Sequence, residues 1–462
     1  MNLPMRLTPR HFLIALALLV GGCAVGPNYE QPVMATPTAY KELAGWERAT
    51  PADALDRGTW WTLFNDSDLN ALVAQVAVSN QNVAAATAAY AQARALVGQQ
   101  RASLYPAVSL DGSGRRAGTD SNVGNTFQAS VGASWEADLW GRLRRGVDSA
   151  DASAQASAAD LAGALLSAQG ELASDYFSVR QADAESALLQ ATIVGYQRAL
   201  TITQNRYDAG IAPKTDLLQA QTQLANAQAE LIGLTRTRAQ FEHAMAVLTG
   251  KAPADFALAV APWRATLPQI PVGVPSTLLQ RRPDIAAAER RVASANAQIG
   301  IAQSAYYPSL NLSASGGSSA SRVADLFAAS TSIWSLGLSS AQVLFDAGAT
   351  RERVNAARAS QEQAAARYRQ TVLEAFASVE DQLNATTVLA QQQSLREQAS
   401  RAADDTEAQA LNRYRAGQIS YTEVVTAQAS ALSARRALVQ LAASRQVTAV
   451  ALIQALGGGW QQ

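Results

Sequence analysis

The sequence has few of the residues that build metal or covalent sites. It contains one cysteine, Cys23, and two histidines, His11 and His243, among 462 residues. One cysteine excludes an internal disulfide, and so few sulfur and imidazole ligands argue against a zinc or copper site. Gly250-Lys251 lacks the earlier glycine of a phosphate-binding loop. We therefore expect no metal, no cofactor and no catalytic activity.

Charge of one sign and long apolar runs are also missing. The chain has 37 basic and 37 acidic residues, and this balance gives no reason to expect nucleic acid as a partner. Beyond the N-terminus no apolar run approaches the roughly 20 residues that a membrane-spanning helix needs. Any crossing of a bilayer would therefore have to be made by β-strands.

The N-terminus has the layout of a bacterial export leader. Arg6 and Arg10 precede an apolar stretch at 12–20, and Gly21-Gly22 lead into Cys23. The order Val20-Gly21-Gly22-Cys23 is similar to the processing site of lipoproteins. We expect residues 1–22 to be a lipoprotein signal peptide and Cys23 to carry the lipid. The alternative is a plain signal peptide with an incidental cysteine.

The chain repeats itself at a distance of about 200 residues, which indicates a duplicated domain and not a solenoid. Arg206-Tyr207-Asp208-Ala209-Gly210 returns as Arg413-Tyr414-Arg415-Ala416-Gly417. Tyr105-Pro106 likewise returns as Tyr307-Pro308. Each half should contain a first helix, two strands, a very long helix, a tight glycine turn and a last helix.

Apolar periodicity and the absence of proline predict the helices. The first helices should cover 68–104 and 276–305, the long ones 141–208 and 348–415, and the last ones 213–249 and 420–456. The long helices would each span about 100 Å and must pack on other helices. Apolar residues from Leu161 to Leu200, and from Tyr368 to Leu383, follow three- and four-residue steps. A helical tube fits this pattern, and so does an ordinary coiled coil.

Short alternating segments predict four strands. In 127–137 the odd positions are apolar or small and the even positions polar, and 309–316 alternates in the same way. Weaker versions cover 107–116 and 334–344, and we expect Gly/Ser-rich linkers at 117–126 and 317–332. A soluble sheet gives the same pattern, but aromatics such as Phe127, Trp135, Trp140 and Trp334 lie where a membrane girdle would place them.

Four strands cannot close a barrel, and open sheet edges are not tolerated in lipid. The chain must therefore oligomerise if the strands cross a membrane. Two copies would give eight strands, which leave little space inside, whereas three would give twelve. A conducting pore thus favours three or more copies, and the sequence leaves three and four both open.

Several motifs resemble the TolC-type outer-membrane efflux lipoproteins of the NodT-like branch. They are the stretch from Cys23 to Tyr29, the stretch from Trp60 to Asp66, and Arg281-Arg282-Pro283-Asp284-Ile285 followed by Glu289. The resemblance implies a mixed α and β membrane protein: a homotrimer with a twelve-stranded outer-membrane β-barrel, four strands per chain, continuous with a long periplasmic α-helical barrel.

The resemblance also implies a division of the chain and a set of partners. The expected segments are a lipid anchor and equatorial part at 23–66, repeats at 67–250 and 276–457, a Pro-rich equatorial link at 251–275, and a tail at 458–462. The expected partners are outer-membrane lipid, a periplasmic adaptor and an inner-membrane resistance-nodulation-division transporter. The cargo would be drugs or other small toxic compounds. A type I protein-secretion channel and a lipid-tethered coiled-coil spacer are the alternatives.

The turns that end the long helices are the expected periplasmic gate and adaptor contact. An acid at each turn would recur around a ring and attract cations. The family often has Asp near the position of Thr426, so this chain departs from the pattern. Ser420-x-x-Glu423 reads as a capping box. The alternative is that these residues only build hairpins. The candidate residues are Tyr207, Asp208, Gly210, Asp216, Tyr414, Arg415, Gly417, Glu423 and Thr426.

Overall fold

The computed structural model describes residues 24–42, 58–119, 122–270 and 281–458. The expected signal peptide and Cys23 lie outside these residues, as do the end of the Pro-rich link and most of the expected C-terminal tail. Within them the chain folds into seven α-helices and four strands. In order these are α1 (Ser67–Ser79), α2 (Gln81–Ala102), β1 (Ala107–Thr119), β2 (Asn122–Glu136), α3 (Arg142–Asp208), α4 (Lys214–Leu248), α5 (Pro283–Ser304), β3 (Ser309–Ala320), β4 (Ser332–Ala341), α6 (Ala349–Arg415) and α7 (Tyr421–Ala455).

The two long helices confirm the periodicity argument. Helices α3 and α6 each contain 67 residues, so each is about 100 Å long. The seam residues are buried along both: Leu172, Tyr176 and Val179 on α3, and Val372 and Val379 on α6, are at most 1% exposed. Stability therefore comes from packing along this seam, since an isolated helix has little of its own.

The expected single helix at 68–104 is wrong. Helix α1 ends at Ser79 and α2 begins at Gln81. The Asn80 side chain interrupts them: its Oδ1 accepts from the backbone N–H groups of Asn82 and Val83 at 2.9 and 3.1 Å. Its Nδ2 donates to the carbonyl of Leu248 at 2.9 Å. An asparagine that caps the next helix in this way competes with continuation of the previous one.

The four strands form one antiparallel sheet in the order β1-β2-β3-β4. Pairing runs from Thr119↔Asn122 to Ala107↔Ser134 between β1 and β2, and β2 then pairs with β3 across the two repeats. Of the Gly/Ser-rich linkers expected at 117–126 and 317–332, the first is therefore almost entirely strand, whereas only 317–320 and Ser332 of the second belong to strands. Small residues disfavour a strand only weakly once both neighbouring strands supply the hydrogen bonds.

The chain forms two compact units. The first contains Ala88–Ala159, Ala286–Thr371 and the described residues up to Met34, and it includes the sheet. The second contains the described residues within Ala35–Thr87, Asp160–Ile285 and Val372–Gln462.

The core of the second unit explains the aromatic motif near residue 60. Trp60–Phe64 is a 3₁₀ helix whose Trp60, Trp61 and Phe64 are buried. Phe64 packs against Phe177 of α3 with ring centroids 5.0 Å apart. Asp66 caps α1 and also accepts a hydrogen bond from the Tyr176 hydroxyl at 2.7 Å. The motif thus fixes the start of α1 against α3.

An extended strap, residues 256–270, lies across the second unit and is held by arginines. Arg180, with 2% of its side chain exposed, donates to the carbonyl of Ala259 at 2.7 Å and to Asp68 at 3.0 Å. Arg238 donates to the carbonyl of Leu258 at 2.6 Å and to Asp183 at 2.7 Å. These bonds satisfy strap carbonyls that have no strand partner.

No helix in the described ranges carries an apolar stretch long enough to span a bilayer.

Candidate functional site

The two faces of the sheet differ in polarity, and the register shows which residues share a face. Successive side chains of a strand point to opposite faces of the sheet, so paired residues at every second position share a face. Three such rows of paired residues form the apolar face. They are Leu110, Val131, Gly316 and Trp334; Val108, Ala133, Ala314 and Leu336; and Trp135, Leu312 and Leu338. The intervening rows are mainly Ser, Gly, Asn and Asp.

The apolar face is exposed. Leu110, Trp334 and Leu336 are 79, 82 and 77% exposed. Exposed apolar surface of this extent marks a surface that contacts lipid or protein. Phe127, expected at the end of a strand, lies inside β2 and pairs with Gly114 and Ala320. The span from Phe127 to Trp135 is about 27 Å along the strand, which suits the apolar layer of a bilayer for a tilted strand.

Aromatic side chains gather where the strands meet the helices. Trp140 stacks on Tyr307 with centroids 4.8 Å apart and donates its indole N–H to the carbonyl of Pro308 at 2.7 Å. Trp135 donates to the carbonyl of Leu104 at 3.0 Å. Rings that keep one polar end hydrogen-bonded and one apolar body exposed are typical of a membrane interface.

The first described residues lie beside these aromatic side chains, where the strands meet the helices. The backbone N–H of Val25 donates to the carbonyl of Trp140 at 2.9 Å. Gly26 has φ +105°, and a Cβ there would lie 2.5 Å from the Cα of Gly300, so helix and segment can touch only as glycines. The Tyr29 hydroxyl donates to Glu289. Two of the quoted motifs, the one after Cys23 and the one ending at Glu289, therefore meet in space.

The Arg282-Pro283-Asp284 motif joins the second repeat to the end of the chain. Arg282 donates to the carbonyl of Ala455 at 2.8 Å, at the C-terminus of α7, and pairs with Asp284 at 2.6 Å. Pro283 is the first residue of α5, where a missing N–H is not needed. The motif is thus a structural joint.

Sequence reasoning missed two carboxylates that begin the long helices. Asp138 accepts from the backbone N–H groups of Leu143 and Arg144 at 3.0 and 2.9 Å. Asp346 accepts from those of Gly348 and Thr350 at 2.9 and 2.7 Å. The signal was present in the sequence, since each Asp stands a few residues before a helix with a glycine between.

The two turns that end the long helices share one hydrogen-bond pattern. Gly210 and Gly417 have φ of +70° and +73°. Each donates its N–H to the carbonyl three residues back, at Tyr207 and Tyr414, both at 2.9 Å, and the following residue donates five back. This is the Schellman arrangement that ends a helix at a left-handed residue, and it confirms the predicted tight glycine turns.

The expected capping box at the start of α7 is wrong. Ser420 occupies the N-cap position, but its side chain accepts no hydrogen bond from the helix. Its ψ of 158° gives the extended backbone of a cap without the reciprocal contact to Glu423. In the first repeat Pro213 takes the same position.

One side chain of the first turn holds the second turn. Arg206 Nη1 donates to the carbonyls of Tyr414 and Arg415 at 3.1 and 3.2 Å. Its guanidinium also lies 4.8 Å from the centre of the Tyr414 ring. A cation at the C-terminus of α6 is favoured by the helix dipole as well as by these bonds. We call this contact the Arg206 latch; the repeated Arg was visible in the sequence, but its partner was not.

Tyr414 and Tyr421 form the buried centre of the second turn. They are 2 and 1% exposed, and their rings meet edge-to-face at 5.1 Å. Burial raises the pKa of the Tyr421 hydroxyl, so it stays neutral. The equivalent Tyr207 is 37% exposed. The two turns therefore share a sequence motif but not an environment.

The expected acids lie at the turns without forming the latch. Glu423 lies in the first turn of α7 and is exposed, and Asp216 lies in the first turn of α4 and is half-buried. Asp208 accepts from Gln204 at 2.9 Å. Thr426 is exposed and donates to the carbonyl of Thr422 at 3.0 Å. Arg415 and Gly417 contribute through the backbone, by a carbonyl to Arg206 and by the turn.

No group of three or more histidine, cysteine or acidic residues among the described positions could hold a metal ion.

A family model described as outer membrane efflux protein matches residues 72–251 and 274–458. The chain belongs to the outer membrane efflux protein family. The two matched stretches correspond to the two halves of the internal duplication. The resemblance drawn from the motifs is thereby confirmed.

Relatives of this outer membrane efflux protein match over almost their whole length. The chain is 30% identical to the toluene efflux pump outer membrane protein TtgC of Pseudomonas putida, over 97% of this chain and 95% of TtgC. It is 32% identical to the pyoverdine export protein OpmQ of Pseudomonas aeruginosa, over 97 and 96%. It is 29% identical to the cation efflux system protein CusC of Escherichia coli, over 99 and 100%.

Solved structures share the fold. The outer-membrane channel OprN superposes with a TM-score of 0.89 at 29% identity, over 95% of this chain and 100% of OprN. The MtrE outer membrane channel of Neisseria gonorrhoeae gives 0.84 at 25%, over 95 and 98%. The fold class expected from the sequence is confirmed, and this outer membrane efflux protein has the fold of an outer-membrane channel.

Proposed function

We propose that three copies of this chain form the passive exit duct of a tripartite efflux pump. The observation that carries the proposal is the sheet: one apolar exposed face, one polar face, and edge strands β1 and β4 that each pair on one side only. In a bilayer those edges need partners, and three four-stranded sheets supply twelve strands with room for a channel.

Each copy would present its apolar face to lipid and its polar face to the channel. The long helices of the copies would continue as a tube into the periplasm, where the strap of each copy would lie around the outside of the tube. A periplasmic adaptor and an inner-membrane resistance-nodulation-division transporter would meet the turns. Energy would come from the transporter, and this chain would carry out no reaction.

The names of the relatives describe efflux and export components, and they favour this role over type I protein secretion. Their cargoes differ at similar identity: toluene, cations and pyoverdine. The similarity thus supports the duct, with drugs or other small toxic compounds as the cargo class proposed from the motifs.

Lipidation of Cys23 would add a membrane anchor close to the aromatic residues at the ends of the strands. Ala24 follows Cys23 directly, and Val25 is hydrogen-bonded to Trp140, one of the aromatic residues where the strands meet the helices (the aromatic band). A lipid on Cys23 would therefore enter the membrane at that band. The barrel remains the main anchor, so the Cys23→Ser variant should lose the lipid and keep its assembly.

The turns would form the closed periplasmic entrance. The Arg206 latch holds the second turn against the first, while Asp216 and Glu423 would place carboxylates around the ring. The adaptor would contact the exposed residues of the turns, among them Tyr207, Asp208 and Thr426.

Native mass spectrometry of the full-length protein in detergent, paired with conductance in planar bilayers, tests the duct. We expect a mass of three chains, a lipid-sized increment on the N-terminal peptide that disappears in Cys23→Ser, and discrete channels. A single chain that stays soluble without detergent and does not conduct would refute the proposal.

A further inference from the structure

Two adjacent arginines on α7 tie together the four helices that lead to the turns. Arg435 and Arg436 lie about 20 Å along α7 from its first residue. Successive residues on a helix point about 100° apart, so the two side chains reach different neighbours.

Arg436 bonds to the first repeat. Its Nη1 donates to Glu230 of α4 at 2.8 Å, and its Nε donates to Glu185 of α3 at 3.3 Å. The Glu185 side chain is 3% exposed, and Gln181 donates to its other oxygen at 2.9 Å. A carboxylate buried to this degree needs a cation beside it. Arg436 is that cation.

Arg435 bonds within the second repeat. It donates to Asp404 at 2.7 Å and to Glu407 at 2.8 Å, both on α6. These partners are 41 and 20% exposed. Arg435 therefore holds α6 and α7 to each other, whereas Arg436 holds that pair to α3 and α4.

The packing beside Arg436 is open. A cleft of about 470 Å³ lies between α4 and α7, lined by Asn226, Glu230, Ser433 and Arg436 and reaching Tyr196 and Gln223. Nearby, the side-chain oxygen of Gln428 is buried without a hydrogen-bond partner among the described residues. Next to this cleft, Leu432 of α7 packs against the buried Tyr196 and Leu224 of α3 and α4, and a second buried cluster surrounds the Tyr414–Tyr421 pair at the turn. The cleft therefore leaves room beside Arg436 for α7 to shift against α4.

We propose that Arg436, through Glu185 and Glu230, is the pivot about which the α6–α7 turn moves relative to the α3–α4 turn. It is a positioning residue for the gate and touches no cargo. The inference rests on the proposed gate at the turns. It adds that the gate position is set about 20 Å away, at the ion pairs that join the two repeats.

The double variant Glu185→Gln/Arg436→Leu cuts this link without leaving a buried charge unpaired, since Gln181 can still donate to the amide oxygen that replaces the Glu185 carboxylate. We expect a normal oligomer and an unchanged unfolding temperature. In planar bilayers the resting open probability should rise tenfold or more, because the variant removes both hydrogen bonds of Arg436 and one charge-assisted bond alone corresponds to about tenfold.

Arg435→Leu is the matched control, because it removes the same side chain from the next position and breaks bonds only within the second repeat. Its resting open probability should equal that of the wild type. Equal rises in both variants, or no rise in the double variant, would overturn the pivot. The Arg206→Gln variant separates the two levels: if it opens the channel and the double variant does not, the pivot alone fails. If neither opens it, the gate at the turns fails too.

Discussion

Removal of the Arg206 latch should open the resting channel. Arg206→Gln takes away two hydrogen bonds from a charged donor to the carbonyls of Tyr414 and Arg415, together with the stacking on the Tyr414 ring. A charged hydrogen bond contributes about 1.5–3 kcal/mol net, and a partly exposed cation–π contact about 0.5–1 kcal/mol. Because Arg206 is half-buried, we take about 2 kcal/mol for the whole contact.

That free energy corresponds to roughly a 30-fold larger population of unlatched turns in each chain. The measurement is resting open probability of the purified protein in planar bilayers, at fixed voltage and salt. Arg413→Gln is the matched control, since Arg413 occupies the same place in the second repeat and its side chain is exposed. A wild-type resting level in Arg206→Gln, or an equal rise in Arg413→Gln, would refute the role of the latch.

Three further predictions concern the stability of the fold and the packing of the N-terminal segment at Val25. Burial and the neighbouring Glu171 raise the pKa of Asp175 to about 6, above its ordinary value, so the folded state holds a proton that the unfolded state releases. Stability should therefore fall as pH rises from about 4 through 6, and Asp175→Asn should flatten this profile in thermal unfolding. Arg180→Gln should cost about 3 kcal/mol by loss of bonds to Ala259 and Asp68, seen as faster proteolysis of the strap; proteolysis at the wild-type rate would contradict it. Gly300→Val should speed hydrogen exchange at Val25, because its Cβ would lie 2.8 Å from the Val25 carbonyl, whereas Gly98→Val, with open space around it, should not.

The helical part of the fold was predictable because its signals are local. An uninterrupted apolar seam without proline predicted α3 and α6 to within a residue of their bounds. A glycine after each long helix predicted the turns. The Asn80 break escaped because it depends on a side chain that bonds its own neighbours and the distant Leu248.

The sheet and the site were less predictable because their signals are long-range. Strands β1 to β3 extend through Gly- and Ser-rich stretches since each residue there has a partner on the next strand, which the sequence does not reveal. The partners of Arg206 and Arg436 depend on which helices become neighbours. A single sequence shows a repeated arginine, but it does not show that only one copy reaches across to the other turn.

One of the differences between the repeats accounts for the unequal environments of the two turns. Tyr421 follows the second turn and covers Tyr414, whereas Lys214 stands at the same place after the first and leaves Tyr207 exposed. The second turn thus has a packed aromatic centre and offers its helix-end carbonyls, while the first turn supplies the cation that bonds them. In a ring of such chains the duplicated hairpins would alternate between donor and acceptor. Opening would then require the second hairpin to move away from the first, because the hydrogen bonds from Arg206 to the carbonyls of Tyr414 and Arg415 must break.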